Sequence, residues 1–234
     1  MFKTYTIEYN GQKCDDFGLK CKRRPDIPTG KERVERFNVA GRDGSLHRRY
    51  GTYEDVQIPI DFNFIEKNRD RWHAAYRRAM EWIKRPMGEL VFADDQEYFR
   101  KVKNVEIMGS ERTTREIGDL TIYFTCEAYS YLQDGIRETP LEKEIFNALN
   151  RTTPIYRIVG DGFLTLHRNG RTVRVNVGQE IIINTDLRLC YRDGVMQNVS
   201  MVGDYTDLFL EEGENHFSWD GNFEIYITPQ WRVR

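Results

Sequence analysis

The stretch VQIPIDFNF, residues 56–64, decides the fold class of this chain. Apolar side chains occupy every second position from Val56 to Phe64, and mostly polar ones stand between them. Because alternate residues of a strand point to opposite sides, this period of two predicts a strand with one buried face. Pro59 lies within it, and since proline has no N–H to donate, it indicates a sheet edge or a bulge at that position.

The same alternation returns in LTIYFTCE, residues 120–127, which predicts a second strand of an antiparallel sheet. Between the two strands the period changes, because apolar residues recur at steps of three and four while charged residues take the opposite positions. This pattern predicts one amphipathic helix that covers the sheet, capped by Asn68 or Asp70 and ended by Pro86. The apolar positions are Trp72, Ala75, Tyr76, Ala79, Met80 and Ile83, and the charged ones are Arg71, Arg77, Arg78 and Glu81.

After Tyr131 the sequence changes to short alternating runs separated by turn residues. Asn169-Gly170 and Asp193-Gly194 each stand between such runs, and these dipeptides are typical of tight hairpins. Strands at intervals of 8 to 12 residues without a helix predict a β-sandwich. We therefore expect a mainly β protein with an N-terminal domain at residues 1–135, a linker at 136–153 and a β-sandwich at 154–234.

The composition excludes several classes of protein. Thirty-five Lys and Arg residues against 37 Asp and Glu give a net charge of −2, so no overall charge draws the chain to nucleic acid or to an anionic membrane. The aromatic content of 13% is too high for a disordered chain. No apolar run is long enough to span a membrane and the first ten residues do not resemble a secretory signal, which predicts synthesis in the cytoplasm.

Motifs of catalysis and of metal or cofactor binding are missing from the sequence. The glycine-rich turns at residues 41–44 and 160–162 lack the spacing that holds phosphates, and neither a nucleophile elbow nor an H-E-x-x-H pair occurs. Cys14, Cys21, Cys126 and Cys190 contain no C-x-x-C pair, so we expect reduced thiols that pack in the interior rather than a zinc site. The sequence predicts a protein that is not an enzyme and needs no metal or cofactor.

Charge is spread unevenly although it nearly cancels. Residues 20–49 hold ten basic and four acidic residues, whereas residues 204–224 hold seven acidic residues and no Lys or Arg. Opposite patches of this kind can direct copies of a protein into a head-to-tail contact, and such a contact makes a ring if it closes. The alternative is that both segments are solvated loops.

The order of motifs resembles the distal tail proteins of long-tailed bacteriophages and prophages. In the first half the resemblance rests on Ile27-Pro28, on VAGRDGSL at residues 39–46, on the strand and helix described above, and on CEAYSYL at 126–132. In the second half it rests on residues 150–154, 160–162 and 184–186 with Tyr191, on LFLEEGEN at 208–215, and on PQWR at 229–232. These segments follow one another along nearly the whole chain.

This resemblance implies a structural protein of the phage particle, made in the host bacterial cytoplasm. It implies an N-terminal domain of β-sandwich or split-barrel type that forms a hexameric ring at the tail tip, and a galectin-like C-terminal β-sandwich that carries other parts. The implied partners are further copies of the chain, the tail tube protein and tail-tip or baseplate proteins, without membrane or sequence-specific nucleic acid. Subunit contacts are expected in the basic segment and its glycine hairpin, at Arg36, Arg42, Asp43, Arg48 and Arg49, with the arginine-rich face of the helix as second choice.

A different class of function also fits the second half of the chain. Trp219 and Trp231 lie among predicted strands, and exposed tryptophans stack on sugar rings. The alternative hypothesis is therefore a carbohydrate-binding module that recognises glycans of the host surface. If both tryptophans pack in the core, this hypothesis loses its main support.

Overall fold

Antiparallel strands make up most of the chain and divide it into two units. The computed structural model describes residues 5–111, 113, 114 and 116–234. The first unit contains the residues up to Ser130 together with Arg234, and the second unit contains Tyr131–Val233. The prediction of a mainly β protein is confirmed, with one α-helix of 12 residues in the described part of the chain.

The first unit is built on one antiparallel sheet, with the strand order β2-β1-β7-β8-β9-β6-β3, and on a separate two-stranded sheet of β4 and β5. Its strands are β1 (Ile7–Tyr9), β2 (Gln12–Lys13), β3 (Leu19–Cys21), β4 (Glu32–Asn38), β5 (Ser45–Tyr53), β6 (Val56–Ile65), β7 (Gly88–Phe92), β8 (Asp95–Glu111) and β9 (Ile117–Leu132).

Residues 56–64 form β6 together with Ile65, and their alternate side chains are buried as predicted. Val56, Ile58, Ile60, Phe62 and Phe64 are all buried. β6 pairs along its whole length with β9, so Ile60 stands opposite Ile122. On its other side, β3 pairs only with residues 62–64 of β6. Among the described strand pairs, Pro59 therefore has a partner on one side only, which confirms the edge position that its missing N–H requires.

The predicted helix is α1, Trp72–Ile83, and it covers the buried face of the sheet. Phe64 of β6 meets the rings of Trp72 and Tyr76 edge to face at 5.3 and 5.4 Å between ring centroids. The start of the helix differs from the expectation, because no side-chain hydrogen bond caps it. Asn68 instead accepts a hydrogen bond from the backbone N–H of Asp70 at 3.1 Å and closes a turn before the helix begins.

The second unit is a β-sandwich. One sheet has the order β10-β20-β12-β15-β16-β17 and the other has the order β11-β19-β13-β14-β18. The strands of these two sheets are β10 (Thr139–Pro140), β11 (Glu144–Asn147), β12 (Ile155–Gly160), β13 (Phe163–Arg168), β14 (Arg171–Asn176), β15 (Gln179–Asn184), β16 (Leu189–Arg192), β17 (Val195–Met196), β18 (Met201–Val202), β19 (Gly213–Trp219) and β20 (Glu224–Thr228). A further short strand of the unit, β21 (Arg232–Val233), belongs to neither sheet.

Tight turns set the register of this sandwich. Asn169-Gly170 joins β13 to β14 and Asp193-Gly194 joins β16 to β17, with all four residues at positive φ between 47 and 78°. Two consecutive residues at positive φ make the turn whose twist suits a two-residue hairpin, so both predicted hairpins are confirmed. Residues 136–153, assigned to a linker from the sequence, carry β10 and β11 of this unit.

Candidate subunit interface

A two-stranded ribbon is the most exposed element of the first unit. We call it the arm, residues Glu32–Tyr53, comprising β4, β5 and the turn between them. Every residue from Arg33 to Thr52 is exposed, on both faces of the ribbon. An isolated two-stranded hairpin is at best marginally stable in water, since it has no layer against which to bury apolar surface. The arm is therefore an element whose stability benefits from a partner.

Glycines shape the two ends of the arm. At the tip, Gly41 and Gly44 have φ values of 78 and 76°, and the N–H of Arg42 donates to the carbonyl of Val39 at 3.2 Å. Near the base the register shifts between Glu32 and Val34, where β5 has more residues than β4, and Gly51 lies in this bulge at φ 64°. A left-handed residue in a bulge favours glycine, and a bulge bends the strand that contains it.

The register of the ribbon gives it two chemically different faces. Directly opposed residues share a face, so the pairs Val34–Arg49, Arg36–His47 and Asn38–Ser45 define an arginine face. The pairs Glu35–Arg48 and Phe37–Leu46, together with Tyr50, define an aromatic face.

Contacts within the aromatic face place Tyr50 on it. Its hydroxyl donates to the Glu35 carboxylate, and the guanidinium of Arg48 lies 5.1 Å from the centroid of its ring. The hydrogen bond to Glu35 raises the pKa of Tyr50, because ionising the phenol would remove the donor. The arginine face therefore presents cations, whereas the aromatic face presents apolar side chains beside Glu35 and Arg48.

The five residues predicted to form the interface all lie on the arm and are exposed, but they do not form one patch. Arg36 and Arg49 share the arginine face, Arg48 lies on the aromatic face, and Arg42 and Asp43 lie in the turn at the tip. Arg49 is partly neutralised, since its Nη1 lies 3.6 Å from Oε2 of Glu32.

Large apolar side chains on the arm were missed by reasoning from charge. Phe37, Leu46 and Tyr50 are 38, 40 and 49% exposed, and Val34 and Val39 are exposed as well. Side chains of this size usually lie in a core, and their grouping on one ribbon is typical of a contact surface. Val34 and Phe37 are three residues apart in β4, and Leu46 and Tyr50 are four apart in β5, so no period of two marked these side chains in the sequence.

The excess of positive charge in residues 20–49 is smaller in space than it is in sequence. Besides Arg49, four of the ten basic residues, all before the arm, make ion pairs with acidic residues of the first unit. These pairs are Lys20–Asp15 at 3.0 Å, Lys22–Asp119 at 2.8 Å, Arg23–Asp61 at 3.4 Å and Arg24–Asp94 at 2.5 Å. These ion pairs hold residues 20–24, which precede the arm, on the first unit. The arm itself contains five arginines and three acidic residues.

Two of the carboxylates in these ion pairs have lowered pKa values. The pKa of Asp94 is lowered mainly by a hydrogen bond from the Tyr5 hydroxyl and also by the Arg24 guanidinium. The pKa of Asp119 is lowered first by Lys22 and then by the hydroxyl of Thr113. In both cases the donors stabilise the ionised form, so these sites are satisfied within the unit.

The acidic segment, residues 204–224, is likewise divided. Asp207 is paired with Arg171 at 3.0 Å, whereas Glu211, Glu212 and Glu214 are exposed at the start of β19. Asp220 follows the end of that strand, about 20 Å from Glu214 at 3.3 Å per residue. The sequence run is therefore not one continuous acidic patch.

The other candidate features are a metal site, the tryptophans of the second unit and the arginines of α1. In the described part of the chain, no three His, Cys, Asp or Glu side chains come together in a way that could hold a metal ion. The described helices include none that is long and apolar enough to cross a membrane.

Trp219 and Trp231 are partly buried and pack against the core of the second unit. The arginine-rich helix face, the second choice for a contact, is exposed at Arg77 and Arg78 of α1 and at Arg71 just before the helix.

A solved structure of similar fold supports this architecture. SPP1 Dit (gp 19.1), described as a paradigm of the hub adsorption apparatus in phages that infect Gram-positive bacteria, matches 96% of this chain and 98% of its own, with a TM-score of 0.61. The chain has the fold of SPP1 Dit. Only 12% of the residues are identical, so the likeness concerns the fold. No family model and no curated protein sequence matches the chain.

The SPP1 Dit fold confirms the resemblance seen in the motifs at the level of architecture. The match extends over both units rather than over one of them, because it covers nearly all of both chains. The short segments that carried the resemblance were individually weak, and their order along the chain was the informative feature.

Proposed function

We propose that the protein is a structural hub of a phage tail tip, in which copies of the chain form a ring and the arm supplies contacts between neighbours. The observation that carries this proposal is the arm, a ribbon exposed on both faces within a fold shared over its full length with SPP1 Dit. A phage hub explains an element that cannot complete its own packing, since repeated copies would cover it.

The aromatic face is the part of the arm that we assign to the neighbouring copy. Phe37, Leu46 and Tyr50 gain most from removal from water, while Arg48 beside them contributes a cation that stacks on the ring. The arginine face and the tip then provide charge that directs approach. A ring held by permanent contacts of this kind needs an interface of about 2,000 Å² or more for each pair of neighbours.

The same proposal places the protein in the virion, at the end of the tail, after synthesis in the host cytoplasm. We propose a hexamer as the ring, with the tail tube protein and tail-tip or baseplate proteins as partners. The proposal assigns no catalytic role to the chain.

Size-exclusion chromatography with light scattering tests the ring directly on the purified full chain. We expect a mass near six times 27.8 kDa at high concentration, and negative-stain images with a closed ring and sixfold symmetry. A chain that stays monomeric at every concentration, also after addition of the tail tube protein of the same phage, would contradict the proposal. Rings of another order would keep the hub and reject the hexamer.

The alternative, a carbohydrate-binding module, receives less support, because Trp219 and Trp231 both pack against the core. It predicts binding on a glycan array and a loss of that binding in Trp219→Ala. Phe163→Ala is a suitable control, since Phe163 is an aromatic of the same unit that is 80% exposed. A blank array with the intact chain would remove this alternative.

A further inference from the structure

A further exposed surface of the first unit is rich in cations and lies along α1. We call it the cationic helix surface, and it comprises the exposed charged residues of α1 and of the turns that flank it, apart from Arg69, which pairs with Glu116 at 3.7 Å. Its basic residues are Lys67, Arg71, Arg77, Arg78, Lys84 and Arg85, and its acidic residues are Asp70 and Glu81. Six basic residues against two acidic ones leave an excess of four positive charges, whereas five against three leave an excess of two on the arm.

The helical period arranges most of these cations in two rows. Residues seven positions apart stand nearly above one another on a helix, two turns and about 10.5 Å apart along its axis. The rows consist of Arg71, Arg78 and Arg85 on one side and of Arg77 and Lys84 on the other. At about 100° per residue, Ala74 and Glu81 fall between the rows. The backbone N–H groups of Lys84 and Arg85 donate to the carbonyls of Met80 and Trp82 at 3.1 and 3.4 Å, so the helical path reaches the end of both rows.

The chain leaves these charges without internal ion pairs. In the part of the chain that the structure describes, no ion pair joins any of the six cations to a carboxylate. Glu81 is three or four residues from four of them and pairs with none. Arg78 is the most restrained, because its guanidinium lies 5.4 Å from the centroid of the Phe17 ring, and Asp16 and Glu66 line the same hollow. The segment before the arm differs, since its four cations all have carboxylate partners.

The helix is firmly packed on its other side but poorly matched at its start. Trp72, Trp82 and Ile83 are buried, and the ring of Trp82 stacks on that of Phe17 at 4.3 Å between centroids. At the start, Arg71 occupies the N-cap without a capping hydrogen bond, and the first turn contains no acidic residue. A cation at this position is unfavourable, since the amino end of a helix carries partial positive charge. Residues that oppose the local preference on a rigid element are typical of functional sites.

We infer that the cationic helix surface binds an acidic α-helix of a partner protein. Carboxylates on the two flanks of the partner helix would meet the two rows of cations, and the hydrogen bonds between arginine and carboxylate are frequently bidentate. Ala74 between the rows lets the partner approach closely, and Glu81 on the same line fits a basic residue of the partner. Charge complementarity of this kind determines the register and orientation of two helices.

The partner is a different protein rather than a second copy of this chain. In the described residues α1 is the single α-helix, and it is itself basic. The exposed carboxylates of Glu211, Glu212 and Glu214 lie at the start of a strand. A nucleic acid fits less well, because Glu81 would face the phosphates and the net charge of −2 gives no long-range attraction to a polyanion. The inference concerns one copy of the chain, so it does not depend on the proposed ring.

The probe is a fluorescent, alanine-based helical peptide of three heptads. Each heptad carries two glutamates on the flanks of one face, and the middle heptad has a lysine between them. The control peptide has the same composition, with its glutamates distributed around the helix. We expect fluorescence anisotropy to show that the full chain binds the first peptide at low salt at least about tenfold more tightly than the control peptide.

Two matched triple variants locate the binding. Arg71→Gln, Arg77→Gln and Arg85→Gln together should weaken binding of the first peptide at least about tenfold, because charge-assisted contacts in both rows are lost. Arg151→Gln, Arg174→Gln and Arg188→Gln remove the same charge from exposed positions of the second unit and should leave the affinity within about twofold of the parent. Circular dichroism checks the fold, and Arg78→Gln with Lys84→Gln replaces the first triple variant if that variant does not fold.

Several results would overturn the inference. They are no binding of the first peptide by the parent chain, equal binding of the two peptides, and an equal loss of affinity in both triple variants. Tighter binding of a DNA duplex of equal charge, lost in the variant of the helix, would assign the surface to nucleic acid instead. Loss of the parent's self-assembly in that variant, measured by light scattering, would make a second copy the occupant, whereas unchanged assembly keeps the ring and this surface separate.

Discussion

Two hairpins of this molecule carry directly opposed apolar pairs but differ in whether those pairs are covered. In the hairpin of β13 and β14, Leu164, Leu166, Val173 and Val175 lie at 1% exposure or less between the two sheets of the sandwich. In the arm, Phe37 and Leu46 form a directly opposed apolar pair of the same kind and stay exposed. Alternation determines which side chains share a face of a hairpin, and the rest of the structure determines whether that face is covered.

The difference has an energetic meaning. A covered apolar face contributes to the stability of the single chain, while an uncovered one contributes only when a partner arrives. The comparison therefore predicts that equal substitutions in the two hairpins affect different measurements.

The largest effect is expected from charges placed on the aromatic face. The double variant Phe37→Glu with Leu46→Glu should raise the concentration needed for assembly by at least about 100-fold, because two apolar contacts become buried charges. Light scattering after size-exclusion chromatography measures the assembly, and circular dichroism checks that the chain is folded. Phe163→Glu, at an exposed aromatic of the second unit, is the control. Equal assembly of the double variant and the parent would place the contact elsewhere.

Substituting one buried and one exposed leucine distinguishes effects on folding from effects on assembly. Leu166→Ala should lower the free energy of unfolding by about 3 kcal/mol, because it leaves a cavity in a packed core. Leu46→Ala should change it by less than about 0.5 kcal/mol, since Leu46 is exposed in the single chain. Urea unfolding at a concentration where the chain is monomeric measures both. A similar loss in both variants would mean that the arm is covered within its own chain.

Charge reversal on the arm should have a moderate effect on assembly. Arg48→Glu with Arg49→Glu should weaken assembly about tenfold at low salt and reduce its dependence on salt, if the arm meets an acidic neighbour. The single variants distinguish the faces, because Arg48 and Arg49 point to opposite sides of the ribbon. Arg174→Glu, at an exposed strand position of the second unit, is the control. Unchanged assembly at low salt would remove both arginines from the interface.

The smallest effect is a pH-dependent change in thermal stability at Asp94, which pairs with Arg24 in the segment before the arm. Because the pKa of Asp94 is lowered in the folded chain, its contribution to stability is present above the pKa of the unfolded form and is lost as pH falls through the folded pKa. Asp94→Asn should therefore melt about 1–2 °C below the parent at pH 7, and the gap should close below about pH 4. Asp43→Asn in the arm is the control. A gap that is constant with pH would exclude this charge as the cause.

Much of the fold could be predicted because the relevant signals are local. The period of two at residues 56–64 and 120–127 and the period of 3.6 at residues 72–83 each gave the correct element, and two dipeptides gave two hairpins. The predicted cap of α1 was wrong, because Asn68 accepts a hydrogen bond from the backbone N–H of Asp70 before the helix starts. Caps depend on the path of the chain over a few residues, which composition does not determine.

The candidate interface could be predicted only in part. The arm and its glycine turn were located from the sequence, as were the arginines on it. The sequence count of charge overestimated the patch, because Lys20, Lys22, Arg23 and Arg24 find acidic partners that are 5 to 97 residues away along the chain. Those distances in sequence carry no information about proximity in space.

The sequence by itself determined the β architecture, the single α-helix, the two tight hairpins and the absence of known catalytic motifs. Only the tertiary structure decided that the arm is exposed on both faces and that its arginines are divided between two faces and a tip. The physical reason is that strand period and turn chemistry act between near neighbours, whereas exposure and ion pairing depend on which distant segments pack together.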